Sequence, residues 1–292
     1  MKNSAAIFLA VFIALGLSWC GFVLAPVRQL GGAKQTTILN SSDLYPVGRP
    51  GEANLGLQVY RGNGCAACHT EQVRQTGVAC NVLLTSTGKN PAAVEKQINA
   101  HLPMFSGIYF ITNTQNLPYG GPCPIDISHL PQAVANDLEK SKADALVDGI
   151  TSAGGKAEIH IIATGPDIAR GWGTRQSVAE DYLYDYPVQL GSLRAGPDLA
   201  NVGVREPDLN WQLVYLYAPA SEVKDSTMPP FRYLFEVRKI GNAPSPDALV
   251  FPKGFGPSAG YEVVPKPEAQ ELAMYLLSLR ANVPLYSAPF TP

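Results

Sequence analysis

The run of apolar and polar positions divides the chain before any chemistry is considered. No charged residue occurs from position 4 to 27, while Ile7, Phe8, Leu9, Val11, Phe12 and Ile13 open a stretch that stays apolar through Leu24. At 1.5 Å per residue such a helix is about 35 Å long, enough to cross a bilayer. Residues 28–52 carry Gly31, Gly32, Pro46, Gly48, Pro50 and Gly51 and read as an extended linker with turns. An apolar pattern resumes with Leu55, Leu57, Val59 and Tyr60, which predicts a short helix. Further on, Val82, Leu83 and Leu84 predict a strand, and Val94 and Ile98 share one face of a helix over 91–101. Residues 113–124 read as loop, 133–153 as a helix ending at Gly154-Gly155, and 157–163 as a strand with Ile159, Ile161 and Ile162. Residues 267–279 predict a helix: Pro267 sits in the first turn, acids come early, Leu272, Tyr275, Leu276 and Leu279 share a face, and Arg280 follows.

Composition adds little to this division. With 46% apolar and 16% charged residues, the 292-residue chain is of ordinary folded type, and a net charge of −2 argues against nucleic acid as a partner. A cleaved signal peptide is the alternative reading of the N-terminal stretch. Its apolar run exceeds the usual 7–15 residues and no A-x-A site follows, so an uncleaved single-pass anchor over 1–27 is expected. Lipidation at Cys20 is disfavoured by bulky Trp19 where a small residue is required. Lys2 on one side and Arg28 and Lys34 on the other do not orient the anchor.

The chemistry is concentrated in Cys65-Ala66-Ala67-Cys68-His69. CxxCH is the signature of covalent haem attachment: two thiols spaced to add across the two vinyl groups of one macrocycle, with the histidine as proximal iron ligand. With five Cys and four His in the chain, about 0.001 such runs are expected by chance. A redox dithiol or half of a zinc site also uses CxxC, but no second CxxC or HxxxH pair occurs. One haem c is therefore expected on Cys65 and Cys68, with His69 on the iron. Such haem is attached on the outer side of the energy-transducing membrane. That places residues 28–292 in the periplasm and the anchor in a bacterial inner membrane, in contact with lipid.

Small c-type cytochromes of class I need far fewer residues between CxxCH and a distal methionine than this chain provides. The expected fold is mostly α: a transmembrane helix and a class I cytochrome c-like domain (53–77 and 166–292), interrupted by a small α+β insert (78–165). The first and last helices of the cytochrome domain should cross and pack. Residues 144–159 resemble, over that short run, the helix-to-strand region of the bacterial ribosomal stalk protein's C-terminal domain. Cys80 and Cys123 both fall in the insert, and an oxidising compartment would allow a disulfide contributing roughly 4 kcal/mol. For the sixth iron ligand, Met1 is the initiator, Met104 lies in the insert and Met274 on the last helix. Met228, in Asp225-Ser226-Thr227-Met228-Pro229-Pro230-Phe231, sits in a rigid, helix-poor loop and is the candidate, with His101, His129 and His160 as rivals.

At this point the motifs resemble a family. The strings 64–74, Gly171-Trp172-Gly173 through Ser177, Glu180 and Asp185-Tyr186-Pro187, then 191–205 and Ser226-Thr227-Met228-Pro229, look like the membrane-anchored monohaem cytochrome c subunit of cbb3-type cytochrome c oxidases. The resemblance implies that the Pro197 carbonyl accepts the proton of the axial histidine ring. It also implies that Arg194 meets a haem propionate, with Arg205 and Trp211 in the haem environment; each could instead stabilise the fold. It implies an electron-transfer subunit with no bond chemistry of its own. Electrons would pass from a donor cytochrome c to a haem-copper catalytic subunit, with other cytochrome subunits as neighbours. The insert departs from the family pattern. A cytochrome serving nitric-oxide reductase or a quinol-oxidising complex, and a haem sensor or peroxidase, remain alternatives.

Overall fold

The computed structural model describes residues 4–39, 41–102, 107–112 and 123–285. They form two compact units, one made of Met1–Val73 with Gly171–Leu285, the other of Arg74–Arg170.

The first unit begins with α1 (Ser4–Trp19), a π-helical turn Cys20–Leu24 and α2 (Ala25–Leu30). Together Ser4–Gln29 make a helix long and apolar enough to cross a membrane; its most apolar stretch has mean hydropathy 2.5 and holds no buried residue. A helix apolar on all sides and unpartnered suits a lipid solvent. The following stretch, expected as a linker, is fastened to the unit. β1 (Thr36–Thr37) pairs antiparallel with β2 (Leu44–Tyr45), and Leu39 N–H donates to the Pro284 carbonyl at 2.8 Å. Arg49 forms an ion pair with Asp185. α3 (Gly51–Gly62) then buries Ala53, Gly56, Leu57 and Tyr60, the i, i+3, i+4, i+7 stripe of an amphipathic helix. A 3₁₀ turn, Cys65–Ala67, follows.

The second unit is built on β3 (Gly77–Ser86), the middle strand of an antiparallel three-stranded sheet. α4 (Pro91–His101) starts where Asn90 Oδ1 accepts the Ala93 N–H at 3.2 Å and Pro91 supplies a preset first turn. β4 (Ile108–Ile111) and β5 (Cys123–Asp126) pair in parallel. β6 (Gln132–Leu138), α5 (Lys140–Ser152), β7 (Lys156–Thr164) and the short α6 (Pro166–Ala169) complete it. Cys80, Val82 and Leu84 alternate along β3 into a core shared with Val94 and Ile98 of α4 and Leu146 and Ile150 of α5.

Two expectations are corrected here. The helix expected over 133–153 occupies only Lys140–Ser152; its first part is β6, paired with β3 through Leu83↔Ala133 and Leu84↔Gln132. Pairing with a central strand overrides the helix preference of an Ala-containing run. The Cys80–Cys123 disulfide is not formed: Cys80 is fully buried on β3, whereas Cys123 is exposed at the start of β5, and both thiols are free. Met104, and most of the loop expected over 113–124, lie outside the described residues.

The chain returns to the first unit with α7 (Val202–Arg205), α8 (Leu209–Tyr217) and α9 (Pro219–Glu222). An antiparallel hairpin of β8 (Phe235–Lys239) and β9 (Tyr261–Pro265), which the sequence reading did not anticipate, precedes α10 (Pro267–Ser278). α10 packs across α3, and their core takes in Leu57, Tyr60, Leu272, Tyr275 and Leu276 with Leu213 and Leu216 of α8.

Candidate haem site

The two thiols and His69 occupy one tight turn. The Cys65 carbonyl accepts both Cys68 N–H, at 3.1 Å, and His69 N–H, at 3.0 Å. Cys65 is partly buried and packs against the α3–α10 core, whereas Cys68 is exposed. Burial pushes the Cys65 thiol up to about 11.

Residues 190–199 are laid along this turn and its continuation. Ser192 N–H donates to the Ala66 carbonyl at 3.3 Å, Gly196 N–H to Cys68 at 2.9 Å, and Leu199 N–H to Thr70 at 2.8 Å, while Glu71 N–H returns a bond to Leu190 at 3.2 Å. This lacing holds His69 by both main chain and ring. Gly191, at φ +76°, passes so close that a Cβ there would stand 2.1 Å from the His69 carbonyl oxygen. Gly196 lies on the imidazole itself, where a Cβ would be 2.3 Å from Cε1. Nδ1 of the ring is 2.8 Å from the Pro197 carbonyl oxygen. That contact makes Nδ1 the protonated nitrogen and leaves Nε2 as the basic one.

Behind the turn stands Asp198, fully buried. It accepts from Thr70 Oγ1 at 2.5 Å, from Gln72 N–H at 2.9 Å and from Ala200 N–H at 2.9 Å. Arg194 joins this group: Nε donates to Thr70 Oγ1 at 2.9 Å, Nη2 to the Gln72 carbonyl at 2.5 Å, and Nη2 lies 3.4 Å from Asp198. Its guanidinium also sits 5.3 Å from the Trp172 ring centroid. Of the two roles open to Arg194, these contacts support the fold-stabilising one. Arg205 differs: Nη2 donates to the Asp198 carbonyl at 2.7 Å, but Nε is buried without a partner among the described residues. Trp211 stacks on Tyr215 along α8, ring centroids 5.0 Å apart and nearly parallel at 5°.

Glu71 is a site residue that sequence reasoning missed. Its carboxylate is buried and takes the Tyr275 hydroxyl at 2.9 Å on each oxygen. Burial pushes it up to about 7, opposed by the Tyr275 hydrogen bond and the Arg49 charge. The Arg49 guanidinium lies 5.2 Å from the Tyr275 ring centroid. The available signal was a charged residue two positions after CxxCH, without any hint of its partner on the last helix.

Met228 lies in the loop after α9, partly buried, packed against the same core as Cys65 and Ala66. Its N–H donates to Ser226 Oγ at 3.4 Å, and Ser226 Oγ is 3.1 Å from the Tyr215 hydroxyl. His101, His129 and His160 belong to the second unit: His101 Nδ1 is 2.9 Å from the Gln97 carbonyl, His129 pairs with Asp126, and His160 lies 3.6 Å from Glu158. Met274 is on α10.

The residues present fit a haem by their own chemistry. Two thiols and a ring nitrogen lie on one turn with the imidazole plane fixed from behind. A soft thioether packs on the same core, and the buried Arg205 Nε is suited to a carboxylate such as a propionate. Among the described residues no three His, Cys, Asp or Glu groups are placed to hold a metal ion, so the turn has no partners for a closed zinc site.

A histidine oriented through Nδ1 beside a thiol pair is the proximal arrangement of haem-carrying chains. Residues 163–247 match the family described as cytochrome C oxidase, mono-heme subunit/FixO. The match shows, over that segment, the resemblance drawn from the sequence. It includes Arg194, Pro197 and Met228 and lies wholly outside the CxxCH run, so the two signals are independent. The matched family is one of oxidase subunits with a single haem. No curated protein matches the chain.

Proposed function

We propose that this chain is the membrane-anchored electron-transfer subunit of a cbb3-type cytochrome c oxidase. Its first unit would be a class I cytochrome c-like domain with one haem c, attached through Cys65 and Cys68 and ligated by His69 and Met228. Haem so ligated supplies reversible one-electron exchange at iron with no open coordination site. Gly196 and the Pro197 carbonyl orient the histidine ring and hold the proton on Nδ1, leaving Nε2 for the iron. Arg205 holds a propionate, Trp211 with Tyr215 forms part of the surrounding wall, and the Arg194–Asp198 network fixes the loop behind the histidine. The ligand set serves a relay rather than a catalyst. Electrons enter from a donor cytochrome c and leave to the haem-copper catalytic subunit, beside the complex's other cytochrome subunits. The N-terminal helix is retained as a single-pass anchor in a bacterial inner membrane, with the soluble part in the periplasm.

The observation that carries this reading is the 2.8 Å contact that joins His69 of the CxxCH run to Pro197 in the separately matched segment 163–247. The full-length chain, purified in mild detergent, should give one haem c per chain in the pyridine haemochrome spectrum. Met228→Ala should abolish the Met-to-iron absorption band and lower the potential; survival of the band would remove Met228 from the iron. Recovery of the native complex without a haem-copper oxidase would sink the assignment to that complex.

A further inference from the structure

The Met228 loop is held from two sides. On one side its bonds run to α8: Ser226 Oγ lies 3.1 Å from Tyr215 Oη, and Phe231 N–H donates to the Leu216 carbonyl at 2.8 Å. On the other, Tyr233 reaches across 170 positions of sequence and donates its hydroxyl proton to Asn63 Oδ1. Asn63 closes α3, returns its own Nδ2–H to the Val59 carbonyl at 2.7 Å, and is separated from Cys65 by Gly64 alone. Tyr233 lies in the 3₁₀ turn Arg232–Leu234, directly after the loop. Its backbone is held by Lys266 Nζ, which donates to the Tyr233 carbonyl at 2.7 Å, and its ring meets Phe231 edge-on at 6.0 Å. Yet Tyr233 is 59% exposed, so burial of the ring does not account for its place.

We propose that Tyr233 is a positioning residue for Met228: through Asn63 it clasps the methionine loop to the thiol-bearing turn and restrains the loop from swinging away. This rests on the reading of Met228 as the axial ligand. With the clasp open, the state in which Met228 has left its place gains population, and a small external ligand competing for that place binds more tightly in proportion. One neutral hydrogen bond at about 1 kcal/mol corresponds to about fivefold.

The test is imidazole titration of the full-length, haem-loaded chain, followed in the Soret band, with thermal melting in parallel. Tyr233→Phe, which keeps the ring, should bind imidazole about fivefold more tightly than the parent. In an Asn63→Ala background, Tyr233→Phe should add nothing, because both substitutions remove one shared bond. A Tyr233→Phe chain that binds imidazole as the parent does, or that changes only its melting temperature, overturns the proposal. Met228→Ala separates the two claims. If it leaves imidazole affinity unchanged, the ligand assignment fails; if it tightens binding while Tyr233→Phe does not, the clasp alone fails.

Discussion

Gly56 of α3 and Glu271 of α10 meet backbone to backbone: a Cβ on residue 56 would lie 1.9 Å from the Glu271 carbonyl oxygen and 2.8 Å from Tyr275 Cβ. The same crossing brings the Tyr60 and Tyr275 rings to 5.1 Å at an angle of 56°. Since α3 runs almost directly into the thiol-bearing turn, this contact sets where the turn starts. Gly56→Ala gains up to about 1 kcal/mol in helix propensity. It must also push two helices apart, and overpacking of this kind costs typically 1–3 kcal/mol or more when backbone is the obstacle. The expected outcome is a net loss of about 2 kcal/mol in urea unfolding of the haem-loaded chain; an unshifted midpoint would show that α3 and α10 separate without cost.

Gly196 against His69 carries a prediction about the ring rather than the fold. A Cβ at 2.3 Å from Cε1 and 2.7 Å from Nδ1 cannot be accommodated without rotating or displacing the imidazole. Gly196→Ala should therefore weaken the Nδ1 contact to Pro197 and turn the ring out of its present orientation. On the proposed ligation of iron by His69, electron paramagnetic resonance of the ferric protein should report changed axial-ligand geometry. An unaltered spectrum would mean that the ring is not held by this contact.

What was legible in the sequence follows from what is local. α4 begins at Pro91 and ends at His101, within the stretch expected, because Asn90 and Pro91 are start signals that act on their own turn. α10 runs from Pro267 to Ser278 for the same reason. The segment of β6 reads as helix in the sequence because nothing within 132–138 announces a strand; the partner β3 imposes it. The β8–β9 hairpin escaped notice because its two five-residue strands are separated by a long loop, so no turn signal joins them. At the site, the thiols, His69 and Pro197 sit in contiguous motifs. The Glu71–Tyr275 pair joins residues 204 positions apart, and Tyr275 resembled any other apolar-face residue of its helix.

The Arg194–Asp198 network predicts a coupling. Removing one member of a buried ion pair leaves the other uncompensated, typically at 3–5 kcal/mol; Arg194 retains some exposure, so Arg194→Leu should cost about 2–3 kcal/mol. Asp198→Asn should destabilise as well, because Arg194 then loses its countercharge. The double variant should lose less than the two singles together, by at least about 0.5 kcal/mol. Strict additivity in urea unfolding would mean that the two side chains do not support each other.

Free Cys80 and Cys123 predict a thiol count. On the proposed attachment of haem to Cys65 and Cys68, the chain unfolded without reductant should label at Cys20, Cys80 and Cys123. Mass spectrometry after alkylation checks this directly. A chain that labels only at Cys20 until reductant is added would restore the disulfide that the buried and exposed positions of these thiols argue against.

The β8–β9 hairpin should weaken in acid. Glu262 on β9 accepts the Ser245 N–H at 2.7 Å and the Arg238 Nε–H at 2.8 Å, and these donors hold its carboxyl below its ordinary 4.5. A carboxylate whose folded pKa lies below its unfolded value adds stability above the unfolded value and loses it as pH falls through the folded one. The hairpin is therefore fully supported above about pH 4.5 and loosens below it. Glu262→Gln removes the charge at every pH. Hydrogen exchange at Val237 and Val263, which face each other across the hairpin, should be faster in Glu262→Gln than in the parent at pH 6. The ratio should shrink as the pH falls below 4.5 and the parent carboxylate takes up its proton. A ratio that stays constant across that range would show that the Ser245 and Arg238 contacts do not favour the ionised form.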